Sequence, residues 1–331
     1  MLPDRPSSRP ALPAAVSTLV AAVVHGEPVD AEVVAAHRYA LYLSVRGSVL
    51  PVVTSDAVPL PTAVRLGVAS GALASRANPG HDRSTPWGVA TGDVVQVGAG
   101  RVTLPGLDVV AARTWRPARV RTADPRRVGC SGGRRGSHLS TQLEMGAWGG
   151  CETAHGSGWL ADGIRAACST SRDECGRGCR DDHFGTHGGV GAAVAGLIGR
   201  GPGLTPSGDD ALAGALLVAH ALGAGEALPD AVRTRLAATT AVSAALLAAA
   251  ADGYAAHPVV ALVDAAVAAD PDAVRRALPA VLAIGHTSGA DTVTGIRAAL
   301  TTLRAGAGCS DGRQGSHLST QLEEPTGRSA A

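Results

Sequence analysis

The sequence predicts an α+β fold, with a small β-rich N-terminal domain followed by a mainly α-helical C-terminal domain. Two observations support this prediction. Up to residue 118, short segments rich in Val and Leu alternate with Gly, Pro and Asp. After residue 188, the apolar positions recur at helical spacing instead. With 331 residues the chain is long enough to bury a substantial core.

Six N-terminal segments are interpreted as strands of a small sheet or barrel-like domain, at residues 40–45, 49–53, 63–68, 93–97, 101–104 and 108–112. Before them, residues 11–24 are interpreted as a first helix. These residues also have the character of a signal peptide, but they lack a convincing cleavage site, so we expect a cytoplasmic protein. No segment reaches the roughly 18–20 apolar residues of a membrane-spanning helix. The net charge of +1 argues against a nucleic-acid or membrane partner.

The C-terminal part contains five predicted helices, at residues 209–222, 231–251, 258–269, 271–283 and 291–305. We therefore predict four regions along the chain. They are an N-terminal helix plus β-rich domain at 1–118, an Arg-, Gly- and Cys-rich insertion at 119–187, the helical domain at 188–306 and a tail at 307–331.

The insertion and the tail share a copied element. Residues 129–144 and 308–323 are identical at fourteen of sixteen positions, although almost none of these residues is apolar. Near-identity without a packing reason suggests a recently copied DNA element translated in frame, so we expect both regions to be poorly ordered. The insertion also contains Cys175, Cys179, His183 and His187, which have the residue types of zinc ligands. Their spacing fits none of the usual zinc-finger patterns well, and accidental clustering is the preferred interpretation.

The main functional signature is a doubled motif, Ser-Gly-x-Asp-x-x-x-Gly. One copy begins at Ser207 and the other at Ser288, each where a Gly-containing loop turns into an apolar helix. Two such helix starts would direct their N-termini at one anion. The alternative for the first copy is a simple helix cap, but a cap alone does not need the two prolines and three glycines that precede this one.

Asp210 and Asp291 occupy the same place in the two copies of the motif. If they converge, they would bind an NH2 group or a divalent cation, or one of them would serve as a base. Bare carboxylates repel a phosphate, so an amide or a metal between them is the physical requirement. No other cofactor is predicted. His286 is a candidate general acid, general base or oxyanion donor, with a solvated loop histidine as the alternative.

Three further polar residues, Thr239, Thr240 and Ser243, lie close together in one predicted helix. They either line a polar pocket or bond back to carbonyl groups of their own helix. Arg200, just before the first motif, is either an anion ligand or a solvated side chain.

The run GxGPGLTPSGDDxLxG at residues 199–214 resembles the AllH-like family, together with TTxxS at 239–243 and IGHTSGxDxxxG at 284–295. That family takes its name from a subunit of oxamate carbamoyltransferase, and many members are known only as a domain of unknown function. The resemblance implies a role in allantoin and purine-nitrogen catabolism, where oxalurate and phosphate are interconverted with oxamate and carbamoyl phosphate. It also implies one subunit of a multi-subunit assembly with a small anionic substrate.

On this interpretation the catalytic candidates are Asp210, Asp291 and His286. The candidate ligands of substrate or phosphate are Gly203, Thr205, Ser207, Gly208, Asp209, Thr240, Ser243, Thr287, Ser288 and Gly289. The alternatives are a non-catalytic assembly or anion-binding subunit, and a copy impaired by the insertion. A nucleic-acid module built on the arginines of the insertion lacks interleaved aromatic residues.

Overall fold

A computed structural model of the chain describes residues 10–76, 85–123, 158–169 and 189–307. Its N-terminal part is a closed barrel with the strand order β1-β5-β4-β3-β2-β6-β7-β8. The strands are β1 (Ala11–Ser17), β2 (Val29–Ala36), β3 (Ala40–Val45), β4 (Ser48–Val53), β5 (Val64–Leu66), β6 (Val94–Gly98), β7 (Arg101–Leu104) and β8 (Leu107–Trp115). β1 runs parallel to β8 and β4 runs parallel to β5, while the other neighbouring strands are antiparallel. Val, Leu and Ala side chains form the core of the barrel.

The predicted fold class is therefore wrong in its first half. The N-terminal part is not simply a small β-rich domain, because eight strands of mixed direction close into a barrel. Residues 11–24, predicted as a first helix, form β1, a turn at 18–20 and all but the last residue of a short helix, α1 (Ala21–His25). β1 pairs with β5 on one side and β8 on the other, so pairing with strands distant in sequence decides its conformation.

The remaining helices are α2 (Ser70–Arg76), α3 (Gly158–Ser169), α4 (Val190–Ala195), α5 (Ser207–Leu222), α6 (Ala227–Arg233), α7 (Ala241–Ala251), α8 (His257–Val267), α9 (Pro271–Leu282) and α10 (Ser288–Ala307). The helix predicted at 231–251 is wrong as a single element. It divides into α6 and α7, with a short 3-10 turn at Leu236–Ala238 between them. Thr239 and Thr240 lie before α7 in extended backbone, so they do not share one helix with Ser243.

Helix α5 lies at the centre of the helical part, and most of its residues are buried. Helix α3 packs into the same core through Leu160, Ile164 and Cys168. Residues 158–169 therefore belong to the helical core, although α3 falls within the region predicted as an insertion. Most of that region, both copies of the repeated element and the four candidate zinc ligands lie outside the described residues. The four predicted region boundaries stay a prediction.

The chain leaves the barrel after β8 and runs along the helices. The backbone N–H of Val120 donates to the Gly253 carbonyl (2.9 Å), and Arg121 forms a salt bridge with Asp264 of α8 (2.9 Å). The N–H of Ala123 donates to the Ala221 carbonyl near the end of α5 (2.7 Å). These contacts attach the segment after the barrel to the helical core. Within the described residues, no helix has both the length and the apolar character needed to cross a membrane.

Candidate functional site

The two copies of the doubled motif start α5 and α10, and these helices pack closely against each other. A Cβ on Gly214 would lie 2.3 Å from the Thr292 carbonyl oxygen, and one on Gly295 would lie 1.9 Å from that of Ala211. These two glycines end the two copies of the motif. Their missing side chains let the helix backbones touch at equivalent positions.

The glycine after each motif serine also has an equivalent surrounding. A Cβ on Gly208 would lie 1.9 Å from the Leu197 carbonyl oxygen, and one on Gly289 would lie 2.0 Å from that of Val281. Each helix start is thus pressed against the end of the segment that precedes it. The two copies are matched in structure as well as in sequence, which accounts for the way their aspartates approach each other.

Asp210 and Asp291 form a carboxyl pair at the start of these helices. Asp210 is only 9% exposed, and the Oδ2 atoms of both aspartates are buried without a hydrogen-bond partner among the described residues. Close by, the hydroxyls of Thr205 and Ser288 are 3.0 Å apart and join the two helix starts.

Burial raises the pKa of Asp210 to about 7. A hydrogen bond from Ser288 lowers this pKa and the charge of Asp291 raises it. Smaller contributions come from a hydrogen bond with Thr205, which lowers the pKa, and from the charge of Asp209, which raises it. A buried carboxyl beside a second carboxylate resists ionisation. Asp210 is therefore about half protonated at pH 7.

Asp209, next to this pair, is fully engaged with the protein. One of its carboxylate oxygens accepts from the Gly199 N–H (2.8 Å), and the other accepts from the Thr239 hydroxyl. Asp209 as a whole is 1% exposed. Asp209 therefore ties the loop before α5 to the turn before α7.

Thr240 fixes the same loop from a second point. Its hydroxyl donates to the Leu204 carbonyl and accepts from the Ser243 N–H (3.0 Å), which makes Thr240 the N-cap of α7. Leu204 precedes Thr205, so this contact helps to hold Thr205 beside Ser288. Ser243 is buried under the cap. A direct substrate contact by Thr240 or Ser243 stays a prediction.

Most backbone N–H groups at the two helix starts already have partners. Gly208 donates to the Arg200 carbonyl (2.9 Å), and Asp209 and Asp210 both donate to that of Pro206 (2.9 and 3.1 Å). In the second copy, Gly289 donates to the Ile284 carbonyl and Asp291 to that of Thr287, both at 3.0 Å. Fewer amides are thus free for an anion than two open helix starts would offer.

A family model described as oxamate carbamoyltransferase subunit AllH matches residues 197–300. The predicted resemblance to AllH is confirmed over this segment. Residues 197–300, called the AllH segment below, contain both motif copies, the carboxyl pair and the Thr239–Ser243 turn. The barrel and α3 lie outside this segment. No solved structure matches the chain significantly.

Four other predicted site residues of the AllH segment lie on loops or in the first turn of α5. Gly203, His286 and Thr287 are exposed, and Ser207 is partly buried in the first turn of α5. None of these side chains has a described contact with the carboxyl pair. A role for them in substrate binding or catalysis stays a prediction.

One contact between the AllH segment and α3 was not predicted. The guanidinium carbon of Arg200 lies 4.2 Å from the centre of the Trp159 ring, a cation–π geometry that joins the loop before α5 to α3. Trp159 lies in the region interpreted as a copied insertion. The apolar residues at 160, 164, 167 and 168 follow helical spacing and were the available signal for α3.

The described residues contain no group of three or more His, Cys, Asp and Glu side chains arranged to hold a metal ion. The carboxyl pair with the Thr205 and Ser288 hydroxyls would offer a cation oxygen ligands only. The divalent cation predicted at Asp210 and Asp291 therefore stays a prediction.

Proposed function

We propose that this chain is a subunit of an oxamate carbamoyltransferase and that the carboxyl pair Asp210–Asp291 acts on the carbamoyl group. One observation carries the proposal. Equivalent positions of a doubled motif bring two carboxyls together in the AllH-matching segment, each with a buried oxygen that has no partner among the described residues. Unsatisfied buried carboxyls are costly for stability, which favours a functional role over a structural one.

The chemistry requires one proton to move. In the phosphorolysis of oxalurate, a phosphate oxygen attacks the carbamoyl carbon, and the bond from this carbon to the oxamate nitrogen breaks. The departing nitrogen takes a proton, giving oxamate and carbamoyl phosphate. Asp210 supplies that proton, and in the reverse direction it accepts one from the attacking oxamate nitrogen. A pKa of about 7 suits a group that must do both.

Thr205 and Ser288 complete the proposed site. Their hydroxyls lie together at the two helix starts, where one donates to the carbamoyl oxygen as negative charge develops on it, while the other keeps the hydrogen bond between the two. Asp209 and Thr240 hold the loop that carries Thr205. We place the protein in the cytoplasm, acting with the other subunits of a carbamoyltransferase complex in allantoin and purine-nitrogen catabolism.

The test is a carbamoyl-transfer assay of the chain reconstituted with the products of neighbouring genes. We expect Asp210→Asn to lower the rate roughly 10²- to 10⁴-fold, the range for loss of general acid–base catalysis. Asp291→Asn acts through Asp210 and should lower the rate less, because burial raises the pKa of Asp210 more than the Asp291 charge does.

Asp272→Asn is the matched control, since Asp272 is an exposed aspartate of α9 whose one ion pair within the described part of the chain is with Arg275 of its own helix. It should leave the rate unchanged. Full activity in both site variants would remove the pair from the mechanism and favour a non-catalytic assembly role.

A further inference from the structure

We infer that the carboxyl pair Asp210–Asp291 recognises a neutral primary amide group, as in an amide or ureide, and that phosphate binds away from it. This inference rests on the proposed function, since it names the part of the substrate that occupies the proposed site. It divides that site into a carboxyl pair for the uncharged group and a separate place for the anion.

The hydrogen-bonding capacity of the pair matches a primary amide. When Asp210 is protonated, the pair offers one O–H donor from Asp210 and a carboxylate at Asp291 that only accepts. A primary amide offers the complement, because its carbonyl oxygen accepts and its NH2 group donates. Both unpartnered oxygens, Asp210 Oδ2 and Asp291 Oδ2, would then be satisfied by one ligand group.

An anion fits this place poorly. Phosphate presents acceptor oxygens and negative charge, and it would face the charge of Asp291 and that of Asp209 one residue away. Five amides of the two helix starts already donate to protein carbonyls. No described residue forms an ion pair with Asp210 or Asp291 that would offset the repulsion.

A divalent cation also fits less well than an amide. Mg²⁺ and Ca²⁺ take six or more oxygen ligands and favour ionised carboxylates. Asp209, the nearest further carboxylate in sequence, has both oxygens bonded to Gly199 and Thr239. A cation would also have to displace the proton of Asp210, whereas the carbonyl oxygen of an amide accepts a hydrogen bond from it.

Two probes of nearly the same size and shape separate these ligands. Oxamate has an amide where oxalate has a second carboxylate, so the two differ by the NH2 group and by one negative charge, both of which the carboxyl pair should distinguish. We expect calorimetric titration of the full chain at pH 7 to show oxamate binding at least about tenfold tighter than oxalate, the effect of one buried hydrogen bond left unpaired. Inorganic phosphate should not displace oxamate competitively.

Substitutions then test whether the proton of Asp210 takes part in recognition of the amide. Asp210→Asn keeps one neutral donor and one carboxylate, so it should keep the preference for oxamate. The double variant Asp210→Asn with Asp291→Asn removes the carboxylate and should abolish that preference. For the wild type, oxamate affinity should fall as pH rises above about 7, when Asp210 loses its proton beside Asp291 and Asp209. The Asp210→Asn variant should show no such fall.

The contrary outcomes are distinct. Equal affinity for the two probes, no binding of oxamate, or competition by phosphate would overturn the inference. So would Mg²⁺ binding that releases a proton and is lost in Asp210→Asn. Selective oxamate binding without carbamoyl transfer by the reconstituted complex would sustain this inference and remove the proposed function. Carbamoyl transfer without a preference for oxamate would overturn this inference and sustain the proposed function.

Discussion

At the scale of single residues, Asp210 is the group with the clearest physical consequence. The doubled motif was sufficient to predict that Asp210 and Asp291 are equivalent. It did not reveal that Asp209 is tied to Gly199 and Thr239, because these partners depend on where the loop and the next turn lie in space. Adjacent aspartates that look alike in the sequence thus have different roles. One positions a loop, and the other is left with an unpartnered oxygen.

The raised pKa of Asp210 predicts a specific dependence of stability on pH. From its ordinary value of 3.8 up to about 7, the folded state holds a proton that the unfolded state has lost. The free energy of unfolding therefore falls as pH rises through this window, by up to about 4 kcal/mol from this group. Asp210→Asn cannot ionise, so we expect it to be as stable as the wild type near pH 4 and more stable near pH 8.

Chemical denaturation of both proteins across this range provides the measurement. The comparison between the two proteins removes the effect of the other carboxyls, because both proteins contain them. One of these is Asp56, whose pKa is lowered to about 2 by hydrogen bonds from Thr54 and Ser70, so its contribution to stability changes with pH in the opposite direction. A constant difference in stability from pH 4 to 8 would show that Asp210 does not titrate in this range.

At the scale of elements, the close packing of α5 and α10 places the carboxyl pair. The last glycine of each motif makes this packing sterically feasible, so Gly295→Ala must push the helices apart. We expect a loss of about 1–3 kcal/mol in stability, the usual cost of overpacking, together with reduced oxamate binding. Gly71→Ala in α2 is the control, because its added methyl meets no described atom within 4 Å and favours the helix. Equal stability of Gly295→Ala and the wild type would contradict the close approach.

The elements also show where sequence patterns suffice. The segments predicted at 40–45 and 101–104 coincide with β3 and β7, since both are short Val- and Leu-rich runs bounded by turn residues. β1 was mistaken for a helix because its Ala-rich sequence has no clear alternation, and only its pairing with β5 and β8 makes it a strand. The turn around Thr239 was missed for a similar reason, as local Ala-rich sequence favours a continuous helix.

At the scale of the whole molecule, the question is how much of residues 119–187 the protein needs. The copied element within this region suggested material foreign to the fold. Helix α3 nevertheless places Ile164, which is completely buried, in the same core as α5 and α10. Trp159 of α3 also contacts Arg200 in the loop before the first motif. A helix near the middle of the region thus supports the helices that hold the carboxyl pair.

This arrangement predicts that Ile164→Ala destabilises the helical part by about 2–5 kcal/mol, the cost of a large-to-small change in a packed core. Calorimetry suits the measurement, since a barrel and a helical core need not unfold in one transition. Asp162→Ala on the exposed face of α3 is the control and should change stability by less than about 0.5 kcal/mol. Ile164→Ala should also weaken oxamate binding, because α3 packs against both α5 and α10. If Ile164→Ala were as stable as the control, the buried side chain of Ile164 would add nothing to the packing of α3 against the helical core.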